Sequence, residues 1–187
     1  ASDVYKRQEQ RLSKSPAAFD AKKLEWINNQ YMKQMDLSEL TDMCLPYLVA
    51  DGRVEENPSP EKIEWLKQLV SLYQPQMSYA AEIVELSNLF FNEHPVLDDA
   101  AKEFLQGETV PTVLHAFKEQ LEALDVFDVP SIKAAIKAVQ KETGVKGKNL
   151  FMPIRIAVSG QMHGPELGET IELLGKEKAL DHLNKVL

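Results

Sequence analysis

The chain has 187 residues, a length that suits one medium domain or two small ones. Hydrophobic residues make up 44% of it and charged residues 27%, which excludes disorder throughout the chain. Its 21 basic and 29 acidic residues give a net charge of -8, which argues against sequence-blind binding to nucleic acid by a broad cationic surface. We therefore expect a folded, acidic protein with no DNA partner.

The sequence carries no sign of a membrane or export segment. No stretch approaches the roughly 18 consecutive apolar residues that a membrane helix needs, and residues 1–10 lack the apolar centre of a signal peptide. Cys44 is the single cysteine, which rules out an intramolecular disulfide and a zinc cluster of thiolates. These features predict a cytoplasmic protein with no membrane partner.

The first regular elements are predicted to be helices. Asp36 stands in the N-cap position three residues before an acidic side chain, as in a capping box, so a helix is expected to begin at Leu37. Ser59 followed by Pro60 is a second start signal, and the apolar stripe after it predicts a helix over 60–73.

The helical pattern continues to the end of the chain. Further helical periods lie over 83–90, 100–105, 113–124 and 132–139. Gly144 is placed to end the last of these with a positive φ. The stretch 151–158 alternates as a strand would, or starts a short helix at Pro153; because no other segment offers a β partner, helix is predicted. Over 167–187 we expect two helices, or one helix kinked at Gly175.

Residues 131–155 are locally basic. They contain six basic side chains against Glu142 alone, for a local net charge of +5, so the rest of the chain carries -13. An acidic body with one basic segment suits a protein that contacts a polyanion at one place. The alternative is a lysine-bearing helix face in solvent, which the charge alone favours.

Motifs for catalysis are absent from the sequence, with one apparent exception. The four histidines lack metal-ligand spacing, and no phosphate-binding glycine loop or nucleophile elbow is present. Arg11-Leu-Ser-Lys-Ser15 resembles the mobile lysine loop of class I aminoacyl-tRNA synthetases. That loop works with a nucleotide-binding sheet and a histidine-containing motif upstream, for which ten residues leave no room. We therefore predict no catalytic, cofactor or metal site in this chain.

Two longer motifs carry a family resemblance. The first is Arg11-Leu-Ser-Lys-Ser-Pro-Ala-Ala-Phe-Asp20, followed by Lys23-Leu-Glu-Trp-Ile-Asn-Asn-Gln-Tyr31. The second is Phe151-Met-Pro-Ile-Arg-Ile-Ala-Val-Ser-Gly160, followed by His163-Gly-Pro-Glu-Leu167 and Ile171-Glu-Leu-Leu-Gly-Lys-Glu-Lys178. They resemble, in this order, two segments of bacterial glutamyl-tRNA synthetases: the one that joins the stem-contact region to the anticodon-binding domain, and the C-terminal signature.

The resemblance implies an all-α fold with two consecutive helical-bundle subdomains that bind a tRNA anticodon. The implied organisation is an end of the stem-contact region over 11–35 and subdomains over 36–97 and 98–187. Residues 1–10 match nothing in the family and are interpreted as a remnant of cloning or sequence assembly. Glutamate tRNA is the implied partner. ATP, with magnesium, is expected to bind a catalytic domain outside this chain, so the chain alone should not activate glutamate.

The resemblance also suggests site residues. In the family, a loop after the Pro-x-Arg helix contacts the first two anticodon bases, and here that loop is Ser159–Leu167. Gly164 and Pro165 would let the backbone approach a base, Leu167 would pack on a base face, and Arg155 would stack on a base or bond a phosphate. The alternative roles are a turn, a core leucine and a surface arginine.

Gln76 bears on specificity. Family members that accept only glutamate tRNA resemble one another in having Arg at this position, where it reads a cytosine as the third anticodon base. A guanidinium has only donors, which suit the acceptors of cytosine but face the donors of the guanine in glutamine tRNA, whereas an amide has both a donor and an acceptor. This predicts a non-discriminating parent enzyme that also charges glutamine tRNA, with an amidotransferase correcting the product. Alternatively, Gln76 caps a helix or faces solvent, and another residue sets specificity.

Four aromatic side chains at helical spacing are predicted to be core rather than stacking platforms, namely Trp26, Tyr31, Trp65 and Phe90. Two other functions are kept open. A helical protein-interaction module with no RNA role predicts binding that ignores anticodon sequence. A small enzyme that uses Arg11–Ser15 predicts ATP-dependent activity from this chain alone.

Overall fold

The computed structural model describes residues 17–187. In this range the chain forms eleven α-helices and two 3-10 helices with no strand, which confirms the predicted all-α class. Its contacts divide into two compact units, one ending at Glu85 and the other spanning Leu86–Leu187. None of the helices between residues 17 and 187 has the length and apolar character needed to cross a membrane. The Arg11–Ser15 motif and the predicted tail over 1–10 lie outside the described residues.

The first unit contains two 3-10 turns and four α-helices, the last of which ends one residue beyond the limit of the unit. They are α1 (Ala17–Gln34), α2 (Leu37–Ala50), α3 (Pro60–Tyr73) and α4 (Ile83–Leu86), with 3-10 turns at Gln74–Gln76 and Ala80–Glu82. Both predicted helix starts are confirmed. The Asp36 carboxylate accepts a hydrogen bond from the backbone N–H of Ser38 at 3.1 Å, and the Ser59 hydroxyl accepts one from Lys62 N–H at 3.2 Å. These bonds satisfy donors that a helix leaves unpaired in its first turn.

The prediction that the aromatic side chains are core is wrong for two of them. Trp26 is 63% exposed and Tyr31 is 67% exposed, whereas Phe90 is buried as predicted and Trp65 is half-buried. Trp26 and Tyr31 lie on α1, which buries the side that carries Met32 and leaves most of its other apolar side chains in contact with solvent. Periodicity identifies the apolar positions of a helix, but it does not say which of them have a packing partner.

The second unit contains seven α-helices. They are α5 (Asn88–Phe91), α6 (Asp99–Phe104), α7 (Val110–Glu122), α8 (Val129–Thr143), α9 (Lys148–Ser159), α10 (Leu167–Leu174) and α11 (Lys176–Val186). Helix α7 packs against α8, α9 and α11, while α10 packs against α8. The prediction of helix over 151–158 is confirmed, although α9 begins five residues before Pro153, whose ring is buried inside the helix. The last segment is two helices that meet at Gly175.

The two compact units divide earlier than the predicted subdomain limit at 97/98. The ammonium group of Lys178 on α11 donates a hydrogen bond to the carbonyl of Phe90, and Val96 lies against Gly160 at the end of α9. Both contacts tie the segment before residue 98 to the second unit. The Pro-containing stretch near residue 95 therefore interrupts the helical pattern inside this unit, and the functional subdomain limits stay a prediction.

His182 is a buried polar side chain in the core of the second unit. Its Nδ1 lies 2.7 Å from the carbonyl oxygen of Val158, so Nδ1 carries the hydrogen and donates it. Its Nε2 is buried with no hydrogen-bond partner within residues 17–187. Burial lowers the pKa of His182 below its usual value; the Val158 carbonyl opposes this shift, Lys178 and Lys185 add to it, and Asp181 opposes it. The folded protein therefore holds His182 neutral.

We expect the free energy of unfolding to fall as the pH drops below about 6.5. In this range His182 is protonated in the unfolded state but stays neutral in the folded state. The contribution of His182 to the free energy of unfolding is fully present above the pKa that His182 has in the unfolded state. It decreases as the pH is lowered, by at most about 1.4 kcal/mol per pH unit. Urea unfolding at several pH values should show a shallower pH dependence for His182→Gln than for the parent chain. His115→Gln, at an exposed position, is the control. An unchanged pH dependence in His182→Gln would contradict the assignment.

Candidate nucleic-acid interface

The predicted site residues fall in both compact units. Gln76 belongs to the first unit, and the other four, Arg155, Gly164, Pro165 and Leu167, belong to the second. Within the described range, no three histidine, cysteine or acidic side chains are placed to hold a metal ion.

Gln76 ends the 3-10 turn that follows α3. Helix α3 stops at Tyr73, two residues before Pro75, which has no N–H to continue the helical hydrogen bonds. The Gln76 side chain is exposed and makes no hydrogen bond within residues 17–187. Its amide therefore faces solvent with its donors and acceptor unused, and it does not cap a helix.

Two other amides hold this turn against α1. The side-chain amide of Asn29 donates hydrogen bonds to the carbonyl oxygens of Pro75 at 3.2 Å and Met77 at 3.0 Å. The Gln74 amide donates to two carbonyl groups at the end of α1, at 2.9 and 3.0 Å. The backbone on both sides of Gln76 is thus fixed. Neither role was predicted from the sequence, because nothing local to Asn29 or Gln74 indicates a partner in another element.

The second group is built around the side chain of Arg155. This residue lies on α9, and its Nη1 donates a hydrogen bond to the carbonyl oxygen of Pro165 at 2.9 Å, which ties the loop between α9 and α10 back to the helix. A Cβ atom at Gly164 would lie 3.1 Å from that Nη1, so the missing side chain leaves room for the guanidinium. The structure therefore brings Arg155, Gly164 and Pro165 together.

The Arg155 guanidinium is charged, and only part of its hydrogen-bonding capacity is used. Half-burial lowers the pKa of its guanidinium, and the Glu166 carboxylate opposes the shift. An arginine remains protonated under such conditions, and its planar group has five N–H donors. Its hydrogen bond to the Pro165 carbonyl uses one of these donors. Leu167 exposes only 8% of its surface, which fits the alternative of a core leucine, and its base contact stays a prediction.

The start of the loop is fixed by Ser159 and Gly160, for which no role was predicted. The Ser159 hydroxyl donates to the Arg155 carbonyl at 2.6 Å and accepts from the Gln161 N–H at 3.1 Å. Gly160 then adopts a φ of 76° and is packed so closely that a Cβ would lie 2.5 Å from the Val96 carbonyl oxygen. A glycine at the end of a predicted helix is a signal for the positive φ, but not for this close approach.

The sequence of the chain is similar to known proteins over most of its length. Residues 39–187 match the family described as "Anticodon binding domain". The chain is 57% identical over 177 residues to a glutamate-tRNA ligase of Bacillus mycoides, covering 95% of this chain and 36% of that protein. It is 55% identical to a glutamate-tRNA ligase of Staphylococcus saprophyticus, with 95% of this chain and 37% of that protein covered. The chain thus spans little more than a third of the length of these curated relatives.

Solved structures share the fold at lower identity. A glutamate tRNA ligase from Elizabethkingia meningosepticum, crystallised in complex with its amino acid, superposes with a TM-score of 0.75 at 21% identity. The superposition covers 87% of this chain and 31% of that one. A glutamate-tRNA synthetase from Elizabethkingia anophelis gives a TM-score of 0.71, also at 21% identity, over 87% of this chain and 30% of its own.

Proposed function

The chain belongs to the anticodon binding domain family, and from that premise we propose that it is the tRNA-binding part of a longer glutamate-tRNA ligase. In this proposal, the chain recognises the anticodon of glutamate tRNA, and a catalytic part outside it attaches glutamate to the tRNA. The chain spans 36% of the glutamate-tRNA ligase of Bacillus mycoides, so in this proposal the ligase activity requires the part of the protein outside the chain.

The observation that carries the proposal is the loop held by Arg155. Recognition of unpaired RNA bases needs hydrogen bonds to their edges and flat groups against their faces, and it needs few charges. The exposed Gly164 presents backbone groups to a base edge, and Arg155 adds a flat cation beside them. An acidic chain can therefore recognise RNA at this loop without a broad basic surface.

We further propose that the anticodon reading is relaxed at its third base. The free, exposed amide of Gln76 has both a donor and an acceptor, so it accommodates cytosine or guanine. The parent would then also charge glutamine tRNA, and a tRNA-dependent amidotransferase would have to correct the product. The fixed backbone around Gln76 supports this proposal, because a base that docks there meets one defined amide position.

The remaining features of the parent follow from the same proposal. Attaching an amino acid to tRNA requires activation, for which the catalytic part would use ATP with magnesium. We propose a cytoplasmic location, where tRNA and the ribosome operate. The described residues of this chain would supply tRNA contacts and no step of the activation chemistry.

The proposed function is tested by binding of this chain, at low and stated salt, to anticodon stem-loops of glutamate tRNA, glutamine tRNA and an unrelated tRNA. We expect comparable binding to the first two and clear rejection of the third. Fluorescence anisotropy with labelled stem-loops measures all three affinities under one condition.

The other outcomes separate the proposals. Preference for glutamate tRNA alone would keep the anticodon function and overturn the relaxed third-base reading. Equal binding to all three stem-loops would overturn anticodon recognition, and absence of binding would favour the helical protein-interaction module.

A further inference from the structure

Three lysines form a row along one side of α8. Lys133, Lys137 and Lys141 are all exposed and lie four residues apart, so successive side chains leave the helix at intervals of about 6 Å. The opposite side of α8, which includes Ile132 and Val139, is buried in the core of the second unit. Glu142, the acidic residue of this basic segment, lies about 100° around the helix from its neighbour Lys141 and thus off the lysine row.

The charges of the lysine row are not neutralised by neighbours. None of the three ammonium groups forms an ion pair or a hydrogen bond within the part of the chain that the structure describes. Other lysines of the same unit do: Lys118 pairs with Glu122 at 3.9 Å and Lys185 with Asp181 at 3.5 Å. The row is therefore a local positive surface on a chain of net charge -8.

One end of the lysine row adjoins the Arg155 loop. A Cβ at Gly168 on α10 would lie 3.4 Å from Cε and 3.6 Å from Cγ of Lys133. The aliphatic part of this lysine side chain therefore packs against α10 at Gly168. Gly168 comes three residues after Pro165, whose carbonyl accepts the hydrogen bond of Arg155. From Lys133 the row continues along α8 for about 12 Å to Lys141.

We propose that the lysine row binds backbone phosphates of the anticodon stem of the tRNA whose unpaired bases dock on the Arg155 loop. This inference rests on the proposed function and names a second contact for it. Lysine suits the task because its ammonium is a mobile point charge that binds phosphate without reading a base edge. A row that begins beside the base-reading loop matches an RNA strand that passes from unpaired loop to paired stem.

The test compares two triple variants with the same change in charge. Lys133→Gln/Lys137→Gln/Lys141→Gln removes the row, and Lys102→Gln/Lys118→Gln/Lys185→Gln removes three lysines elsewhere in the second unit. Binding to the glutamate tRNA stem-loop is measured by anisotropy over a range of salt concentrations. The row variant should bind about tenfold or more weakly, with a logarithmic salt dependence shallower by about 2 to 3, whereas the control stays near the parent chain.

A second comparison assigns the contact to the stem. The row variant should lose more affinity for the stem-loop than for the isolated loop oligonucleotide, and it should lose the same factor for glutamate and glutamine stem-loops because phosphates carry no sequence information. Circular dichroism verifies that both variants keep their helices.

Each remaining outcome counts against the inference. Equal affinity and salt dependence in the two triple variants would contradict phosphate binding by the lysine row and leave the proposed function intact. Equal losses for stem-loop and loop oligonucleotide would overturn the assignment to the stem. If the unsubstituted chain bound no stem-loop, this result would contradict both the proposed function and the phosphate-binding role of the lysine row.

Discussion

Gly160→Ala should destabilise the second unit by about 3 kcal/mol or more, because the new methyl group has no room and the backbone has the wrong conformation for it. Gly160 has a φ of 76°, a region that costs residues with a Cβ about 1 to 2 kcal/mol. The added Cβ would also lie 2.5 Å from the Val96 carbonyl oxygen and 3.0 Å from the Pro95 Cβ. The nearest of these atoms belongs to the backbone, which cannot move aside as the end of a flexible side chain can.

Gly144→Ala is a matched control for this prediction. Gly144 also follows the last residue of a helix, with a φ of 73° and a ψ of 0°, against 76° and 0° for Gly160. A Cβ at Gly144 meets nothing within 4 Å, so its substitution should cost only the backbone term of about 1 to 2 kcal/mol. The difference between the stability losses of the two variants measures the energetic cost of the steric clash with Val96.

Urea unfolding followed by far-UV circular dichroism measures both costs. Both tryptophans, Trp26 and Trp65, lie in the first unit, so their fluorescence gives an internal reference for unfolding of that unit. Equal losses of stability in Gly160→Ala and Gly144→Ala would contradict the packing argument.

Gln76→Arg should weaken binding to the glutamine stem-loop relative to the glutamate stem-loop by a factor between about 5 and 150. This range corresponds to about 1 to 3 kcal/mol for a good base-edge contact, taken over from DNA recognition. The arginine would offer only donors, which suit the acceptors of cytosine and meet the donors of guanine. The site can present it because Asn29 and Gln74 hold the turn and leave position 76 exposed.

The control is Gln68→Arg, which makes the same substitution at an exposed position of α3 in the same unit. It should change both affinities by the same factor, because a cation away from the bases acts on the RNA backbone as a whole. If Gln76→Arg also changed both affinities equally, Gln76 would not be the residue that sets third-base specificity.

Helix ends were predictable from the sequence because the bonds that make them are local. The side chains of Asp36 and Ser59 each accept a hydrogen bond from an N–H two or three residues further on. Gly144 ends its helix by adopting a positive φ. Such contacts need no knowledge of the rest of the chain. The same reasoning gave an all-helical fold and a break at Gly175, where the structure has two separate helices.

Burial was less predictable from the sequence, as α1 illustrates. Trp26 and Tyr31 have the spacing of core residues, yet their sides of the helix face solvent. Helical periodicity is a property of one segment, whereas burial depends on a surface that another segment must supply.

The sequence by itself determined the helical class, the helix ends marked by a capping residue or a terminal glycine, and the identity of the candidate site residues, since each depends on neighbouring residues or on an ordered motif. Only the tertiary structure decided how those residues are held. Asn29 reaches a carbonyl 46 positions along the chain, Arg155 closes its loop at Pro165, and Gly160 differs from Gly144 through its contact with Val96. These contacts join residues ten or more positions apart, beyond the reach of a capping or turn pattern, and they form when the helices pack.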